Sequence, residues 1–409
     1  MVRAARWLVV AAVFMGFRGP ALAADAMGSA SQRIVVFKGS VAPSARVAIA
    51  SQSGGVVVRE LRLINAVVIR AGSSLLQSAE ARLKSRGDVL NVVDDPRIDW
   101  LKGAPAAVNE VPWPAMTEFL KGRLETSPAA PAPTAGQDAP WGVIRVNAPA
   151  SWSVTKGKGV KVAVIDTGID FDHPDLKGAV AGGWSAIDKE DPKNFKDDNG
   201  HGTHVSGTIA ARDDAAGVVG VAPEAALYGV KVLDKDGSGN FSDVIAGMEW
   251  TVTNKMQVVN MSLGASRGNE ALQAAVEAMA KAGLILVAAA GNSGGAVGYP
   301  AAYPQAIAIA ASDAGDKVAY FSSRGPEVDF IAPGVAIPST FPGGLYRSLS
   351  GTSMACPHAA GLAALAVAAK AADGPEKVRA LFKAGATPFP DVPAEEQGAG
   401  LVDAAKLVR

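Results

Sequence analysis

The sequence predicts an α/β protein, a mainly parallel sheet flanked by helices, preceded by a small α+β unit. Three observations lead there. From residue 137 onward, short apolar runs suited to buried strands alternate with stretches at helical spacing, as in a parallel sheet covered on both faces. Residues 32–101 read as a β-α-β-β-α-β succession. Between them, residues 102–136 become too rich in Pro and Ala to pack a core. At 409 residues, 49% hydrophobic and 19% charged, the chain is long enough for more than one domain and too apolar to be disordered.

Taken in order, residues 1–24 read as a secretory signal peptide. Arg3 and Arg6 precede the apolar run 7–17, and Ala21-Leu22-Ala23 supplies small residues for cleavage. That run is about half of the roughly 20 residues a membrane span needs, and no later stretch is suitable, so no stable membrane anchor is expected. In the small unit, strands are expected over 33–37, 56–63, 65–71 and 89–93, with helices over 43–50 and 73–86. This is the split arrangement of ferredoxin-like domains. In the region 137–409, strands are expected over 160–165, 226–232, 258–261 and 284–289. Helices are expected over 201–211, 242–253 (with Ser242 as N-cap), 269–282 and 353–372.

Composition excludes several classes. Lys plus Arg and Asp plus Glu each number 39, so no net charge draws the chain to nucleic acid or an anionic membrane. The single cysteine, Cys356, rules out an intramolecular disulfide. An exported protein without disulfides needs another source of rigidity, and bound metal is one.

Four segments carry the chemistry: Val164-Ile165-Asp166-Thr167-Gly168, Gly200-His201-Gly202-Thr203-His204, Ala290-Gly291-Asn292 and Gly351-Thr352-Ser353-Met354-Ala355. They supply an acid, an imidazole, an amide and a hydroxyl, enough for an orienting carboxylate, a general base, an oxyanion donor and a nucleophile. Asp166 ends an apolar strand, where ligands meet open α/β sheets. Asp170 and Asp172 read instead as solvated turn residues. Ser353 heads an Ala-rich helix, in the positive field of its N-terminus with its own N–H free. Of the four histidines, His204 reads as packed, His358 as structural and His173 as part of a turn.

These words and the chain order Asp, His, Ser resemble the subtilisin-like serine proteases. The resemblance implies that Asp166 orients His201, that His201 takes the Ser353 proton, and that Asn292 and the Ser353 N–H stabilise the oxyanion. The small unit, through residues 34–37 and 64–67, is similar to the propeptide of secreted subtilisins. It would serve as an intramolecular inhibitor and folding aid, first cut around 99–102 and then trimmed to a start near 136 or 137. Gly237-Ser238-Gly239 and Ser262-Leu263-Gly264 match the two segments that pair with an extended peptide, and Gly298 matches the base of the primary pocket. With no acidic residue in 293–298, a large apolar residue before the scissile bond is expected.

A structural Ca²⁺ is implied as well. The carboxylates of Asp175 and Asp214, the carbonyls of Arg212, Ala216 and Val218 and the Gln137 side chain match the family's ligands, an oxygen set suited to Ca²⁺ and not to zinc. No organic cofactor is expected. The expected product is a monomeric, secreted endopeptidase, extracellular or periplasmic, acting on protein or peptide substrates. An inactive scaffold finds no support, since all four chemical residues are present. A metallo-hydrolase on His201 and His204 lacks the Glu of His-Glu-x-x-His. An α/β-hydrolase has the wrong order of residues.

Overall fold

A computed structural model describes residues 31–102, 137, 139–188 and 190–408. The expected signal peptide and nearly all of the 102–136 linker lie outside them.

The small unit places strands β1 (Ser31–Phe37), β2 (Val56–Leu61), β3 (Ala66–Ala71) and β4 (Val89–Asp94) in the antiparallel order β2-β3-β1-β4. Helices Pro43–Gln52 and Ser73–Lys84 cover one face. The run Ile34-Val35-Val36-Phe37 lacks polar alternation because both sheet faces are buried. Val35, Phe37, Val67 and Ile69 pack with Leu76, Ala79 and Leu83 beneath the unit's own helices. Ile34, Val36, Ala66 and Val68 join the core of the large domain instead. A fifth strand, β5 (Arg97–Asp99), leaves the sheet and enters the large domain.

The large domain is built on β6 (Lys161–Asp166), β7 (Val180–Ser185), β8 (Ala226–Lys231), β10 (Val258–Met261), β11 (Ile285–Ala289), β12 (Ile307–Ser312), β13 (Phe330–Pro333), β16 (Ala386–Thr387) and β17 (Leu401–Val402). With β9 (Ser238–Asn240) and the hairpin β14 (Ile337–Phe341) and β15 (Leu345–Leu349) outside it, the nine-stranded sheet runs β16-β17-β13-β12-β11-β10-β6-β8-β7. All its pairs are parallel except β16–β17. The central strands are largely apolar, with Asn260 an exception in β10, because helices cover both faces. The Thr352–Ala368 helix is buried from Thr352 through Ala366, so its apolar residues are not confined to one stripe.

Two local expectations need correction. The helix expected over 242–253 begins at Phe241, and its N-cap is Asn240, not Ser242. Asn240 and Asp243 form a reciprocal capping box, which outcompetes a hydroxyl two residues on. Asp170 is not solvated. It is buried, and its Oδ2 accepts the Gly343 N–H at 2.8 Å.

Candidate active site

The carboxyl ends of three adjacent parallel strands deliver the site. Asp166 is the last residue of β6, Ser262 follows β10, and Asn292 follows β11 by three residues. Two helix N-termini complete it, with His201 first in the His201–Ala210 helix and Ser353 second in the Thr352–Ala368 helix. Glycine permits the close approach of the first helix. A Cβ on Gly202 would lie 2.1 Å from the Gly168 carbonyl oxygen. One on Gly200, which caps the helix at φ 110°, would lie 2.2 Å from the Phe341 ring.

Asp166 is fully buried, and its Oδ1 accepts the Thr167 N–H at 2.7 Å. His201 Nδ1 lies 2.8 and 3.0 Å from the two Asp166 oxygens, so Nδ1 carries the proton and donates to them. Nε2 is buried, with no hydrogen-bond partner among the described residues. Burial disfavours an imidazolium, but the charge and hydrogen bonding of Asp166 outweigh it and raise the His201 pKa above the ordinary imidazole value.

Ser353 Oγ does not meet His201. It donates to the Ser262 carbonyl at 2.9 Å. Asn292 Oδ1 accepts from the Thr352 N–H at 2.8 Å and the Thr352 hydroxyl at 2.9 Å, which fixes the amide orientation and leaves Nδ2 as the unengaged donor among the described residues. The Ser353 N–H, in the first turn of its helix, likewise has no acceptor there.

A groove of about 1390 Å³ leads to Ser353 and Asn292, far larger than one side chain requires. Part of it is taken by the chain itself. Strand β5 pairs antiparallel with β9, opposing Ile98 to Gly239 and Asp99 to Ser238. Beyond it the Trp100 N–H donates to the Gly237 carbonyl, the Gly264 N–H donates to the Trp100 carbonyl, and the indole N–H donates to the Gly239 carbonyl, each at 3.0 Å. Trp100 is 1% exposed, with its ring 4.8 Å from that of Phe241. The chain leaving the small unit therefore pairs as a strand with Ser238-Gly239 and touches the second segment through one hydrogen bond at Gly264, and Leu263 lines the groove beside it. Gly298, with Ala296 and Val297, lines the same groove.

The sequence pattern of the subtilase family matches residues 157–400. The chain belongs to the subtilase family. It is 51% identical over 235 residues to a subtilisin of Bacillus pumilus, covering 56% of this chain and 84% of that protein. Subtilisin E of Bacillus subtilis (strain 168) is 51% identical over 235 residues, 61% of its own length. M-protease of Shouchella clausii (strain KSM-K16) is 50% identical over 234 residues, 60% of its length. The enzyme class is accordingly that of a serine endopeptidase of subtilisin type, with protein or peptide as substrate. Among the described residues, no helix is long and apolar enough to cross a membrane.

In this subtilase the other three histidines bond backbone carbonyls and not a carboxylate, so burial prevails. It lowers the pKa of His204 to about 3 and of His358 to about 4, and His204 Nε2 bonds the Ile337 and Arg347 carbonyls. His173 bonds the Leu345 carbonyl. Burial pushes the Cys356 thiol well above its usual range, so it is not a thiolate nucleophile.

Sequence reasoning missed Asp197. Its buried carboxylate accepts from the Thr167 hydroxyl, the Asn199 and Gly200 N–H groups, and the Thr203 N–H and hydroxyl. It ties the loop after Asp166 to the helix carrying His201. The available signal was a carboxylate four residues before His201, near a helix start.

The implied calcium ligands are only partly gathered. The carbonyls of Arg212, Ala216 and Val218 converge on Gln137 Nε2 at 2.5, 2.8 and 2.9 Å. An amide nitrogen has two protons for these three acceptors, so the ring suits a cation, and a half turn of the amide presents Oε1 to the same point. Asp175 is buried beside it. Its Oδ2 accepts the Val218 N–H at 2.8 Å, and desolvation raises its pKa to about 6. Asp214 gives its N–H to Gln137 Oε1, while its half-exposed carboxylate faces Arg212 at 3.6 Å. No group of three or more His, Cys, Asp or Glu among the described residues makes a metal site, so any ion here rests mainly on carbonyl and amide oxygens.

Proposed function

We propose that this subtilase is a secreted, self-processing endopeptidase using Ser353, His201 and Asp166. The observation that carries the reading is the His201 imidazole, bonded through Nδ1 to a buried carboxylate while its buried Nε2 has no described partner. An extended substrate pairing with Ser262-Leu263-Gly264 competes for the Ser262 carbonyl and frees Ser353 Oγ to turn to Nε2. Nε2 then takes the hydroxyl proton as Oγ bonds to the substrate carbonyl carbon. The oxyanion lies between Asn292 Nδ2 and the Ser353 N–H. Collapse breaks the C–N bond, and Nε2 returns the proton to the leaving amine. Water, deprotonated by the same nitrogen, then cleaves the acyl ester and restores the Ser353 hydroxyl.

The small unit fits the role of an inhibitor because the chain leaving it lies in the groove as a strand. The first cut is proposed around 99–102, with later trimming near 136 or 137. With no acidic residue in 293–298, a large apolar residue before the scissile bond is favoured. Ca²⁺ would be held by Gln137, the carbonyls of Arg212, Ala216 and Val218 and the nearby carboxylates of Asp175 and Asp214. It would supply rigidity and take no part in the chemistry. The mature product is proposed to be a monomer, outside the cytoplasm in keeping with the signal at residues 1–24.

A fluorophosphonate probe tests the reading. Peptide mapping is expected to locate the adduct on Ser353, with none in the Ser353→Ala variant. Labelling elsewhere, or none in the wild type, would count against it.

A further inference from the structure

The Thr352–Ala368 helix contains Pro357, which has no N–H. In an unbroken helix that N–H would bond the carbonyl four residues earlier, which belongs to Ser353. The carbonyl of the proposed nucleophile therefore lacks its usual helix donor. A second strand end supplies the donor. The Ser262 hydroxyl gives its proton to the Ser353 carbonyl at 2.8 Å. Its direction is set in turn by Asn260 Nδ2, which donates to Ser262 Oγ at 2.9 Å and so leaves that oxygen's own proton for Ser353. Asn260 and Ser262 are fully buried, and Ser353 nearly so. Ser262 thus meets Ser353 twice, its carbonyl accepting from Oγ and its hydroxyl donating to the main chain.

We infer that the Ser262 side chain is a positioning residue, which replaces the helix hydrogen bond lost at Pro357 and fixes the turn that presents the Ser353 hydroxyl and N–H. The main chain of Ser262 pairs with substrate in the proposed function, whereas its hydroxyl acts only through Ser353. The inference rests on the proposed role of Ser353 and adds to it a compensation between two residues distant in sequence. An unmet buried carbonyl is costly, and here the cost falls on the residue whose placement sets the reaction geometry.

Replacing Pro357 by alanine restores an N–H at the required place, so the test is a double-mutant cycle. Wild type, Ser262→Ala, Pro357→Ala and the double variant are made as full-length precursors, allowed to mature, and titrated with a fluorophosphonate. kcat and KM are then measured per titrated site. Loss of the hydroxyl is expected to cost about tenfold in kcat with Pro357 present, with KM little changed, and less than about threefold in the Pro357→Ala background. An equal loss in both backgrounds, or a loss confined to KM, would overturn the inference. If Ser262→Ala alone does not fold, the two proteins that carry Pro357→Ala decide. A double variant as active as Pro357→Ala supports the inference, and one that is inactive overturns it. A wild type that neither labels nor turns over would sink the peptidase reading instead. The same compensation would then be sought in the melting temperatures of the four proteins.

Discussion

The two folded regions differ in how their sheets are completed. The large domain covers both faces of its sheet with its own helices, and its chemical groups sit on strand ends and helix N-termini inside that closed core. The small unit covers one face only, and its other face, through Ile34, Val36, Ala66 and Val68, is finished by the large domain. Polar contacts follow the same division. Arg59 pairs with Asp243 at 2.9 Å and also bonds the Ser242 and Ala186 carbonyls. The Leu63 N–H meets Glu249, and Asp95 accepts the Ser242 N–H at 2.8 Å, at the start of the Phe241–Thr253 helix. A sheet this small, with one borrowed face, holds its fold best while docked. That is in keeping with the proposed role of the small unit as a folding aid that is later removed.

Changes inside the large domain should therefore alter chemistry, and changes at the junction should alter docking. The largest expected effect is chemical. Asn292→Ala removes a donor to the proposed oxyanion and should lower kcat by about 10²–10³-fold, with docking unaltered. A similar KM and an unchanged kcat would break the division. The pH profile sharpens it. Asp166 raises the His201 pKa above 6.5, and the imidazole must be neutral to accept a proton. kcat/KM should fall as pH drops through a value above 6.5, and Asp166→Asn should move that limb to lower pH.

Metal removal comes next. A chelator is expected to lower the melting temperature of the mature domain, added Ca²⁺ to restore it, and Gln137→Ala to weaken both responses. A melting temperature indifferent to chelator and Ca²⁺ would remove the proposed ion.

The smallest effect belongs to the junction. Burial raises Asp95 from 3.8 to about 6, so the docked form binds a proton more readily than the unfolded chain. Stability should therefore fall as pH rises from about 4 to about 6 and stay lower above that. In an uncleaved Ser353→Ala precursor, Asp95→Asn keeps the acceptor for Ser242. It should flatten that slope and stabilise the protein at pH 8 by on the order of 1–3 kcal/mol. An unchanged slope would place the titration elsewhere, since Asp175 shifts in the same direction.

Much of this was legible in the sequence for local reasons. The ferredoxin-like order and the β6, β8, β10 and β11 strands came from runs whose period and length fix one element type. Asp166, His201, Asn292 and Ser353 were singled out by the resemblance of their short words to those of the subtilisin-like proteases. One miss is local, and the others are contacts between distant segments. The Asn240–Asp243 capping box was hidden because Ser242 satisfied the same local rule. Burial of Asp170 depends on the loop at Gly343, 173 positions away. The Ser262–Ser353 hydrogen bond spans 91 positions, and its only local trace is Pro357 within a helical stretch. Nor does spacing reveal that Ser353 Oγ rests on the Ser262 carbonyl and not on His201.

The most direct test of the account follows the full precursor and its Ser353→Ala variant by mass spectrometry. The wild type is expected to cut itself near residue 100 and the variant to stay whole, because the strand in the groove leads toward Ser353. Equal cleavage of both chains, or an intact wild type that ignores a fluorophosphonate, would contradict it.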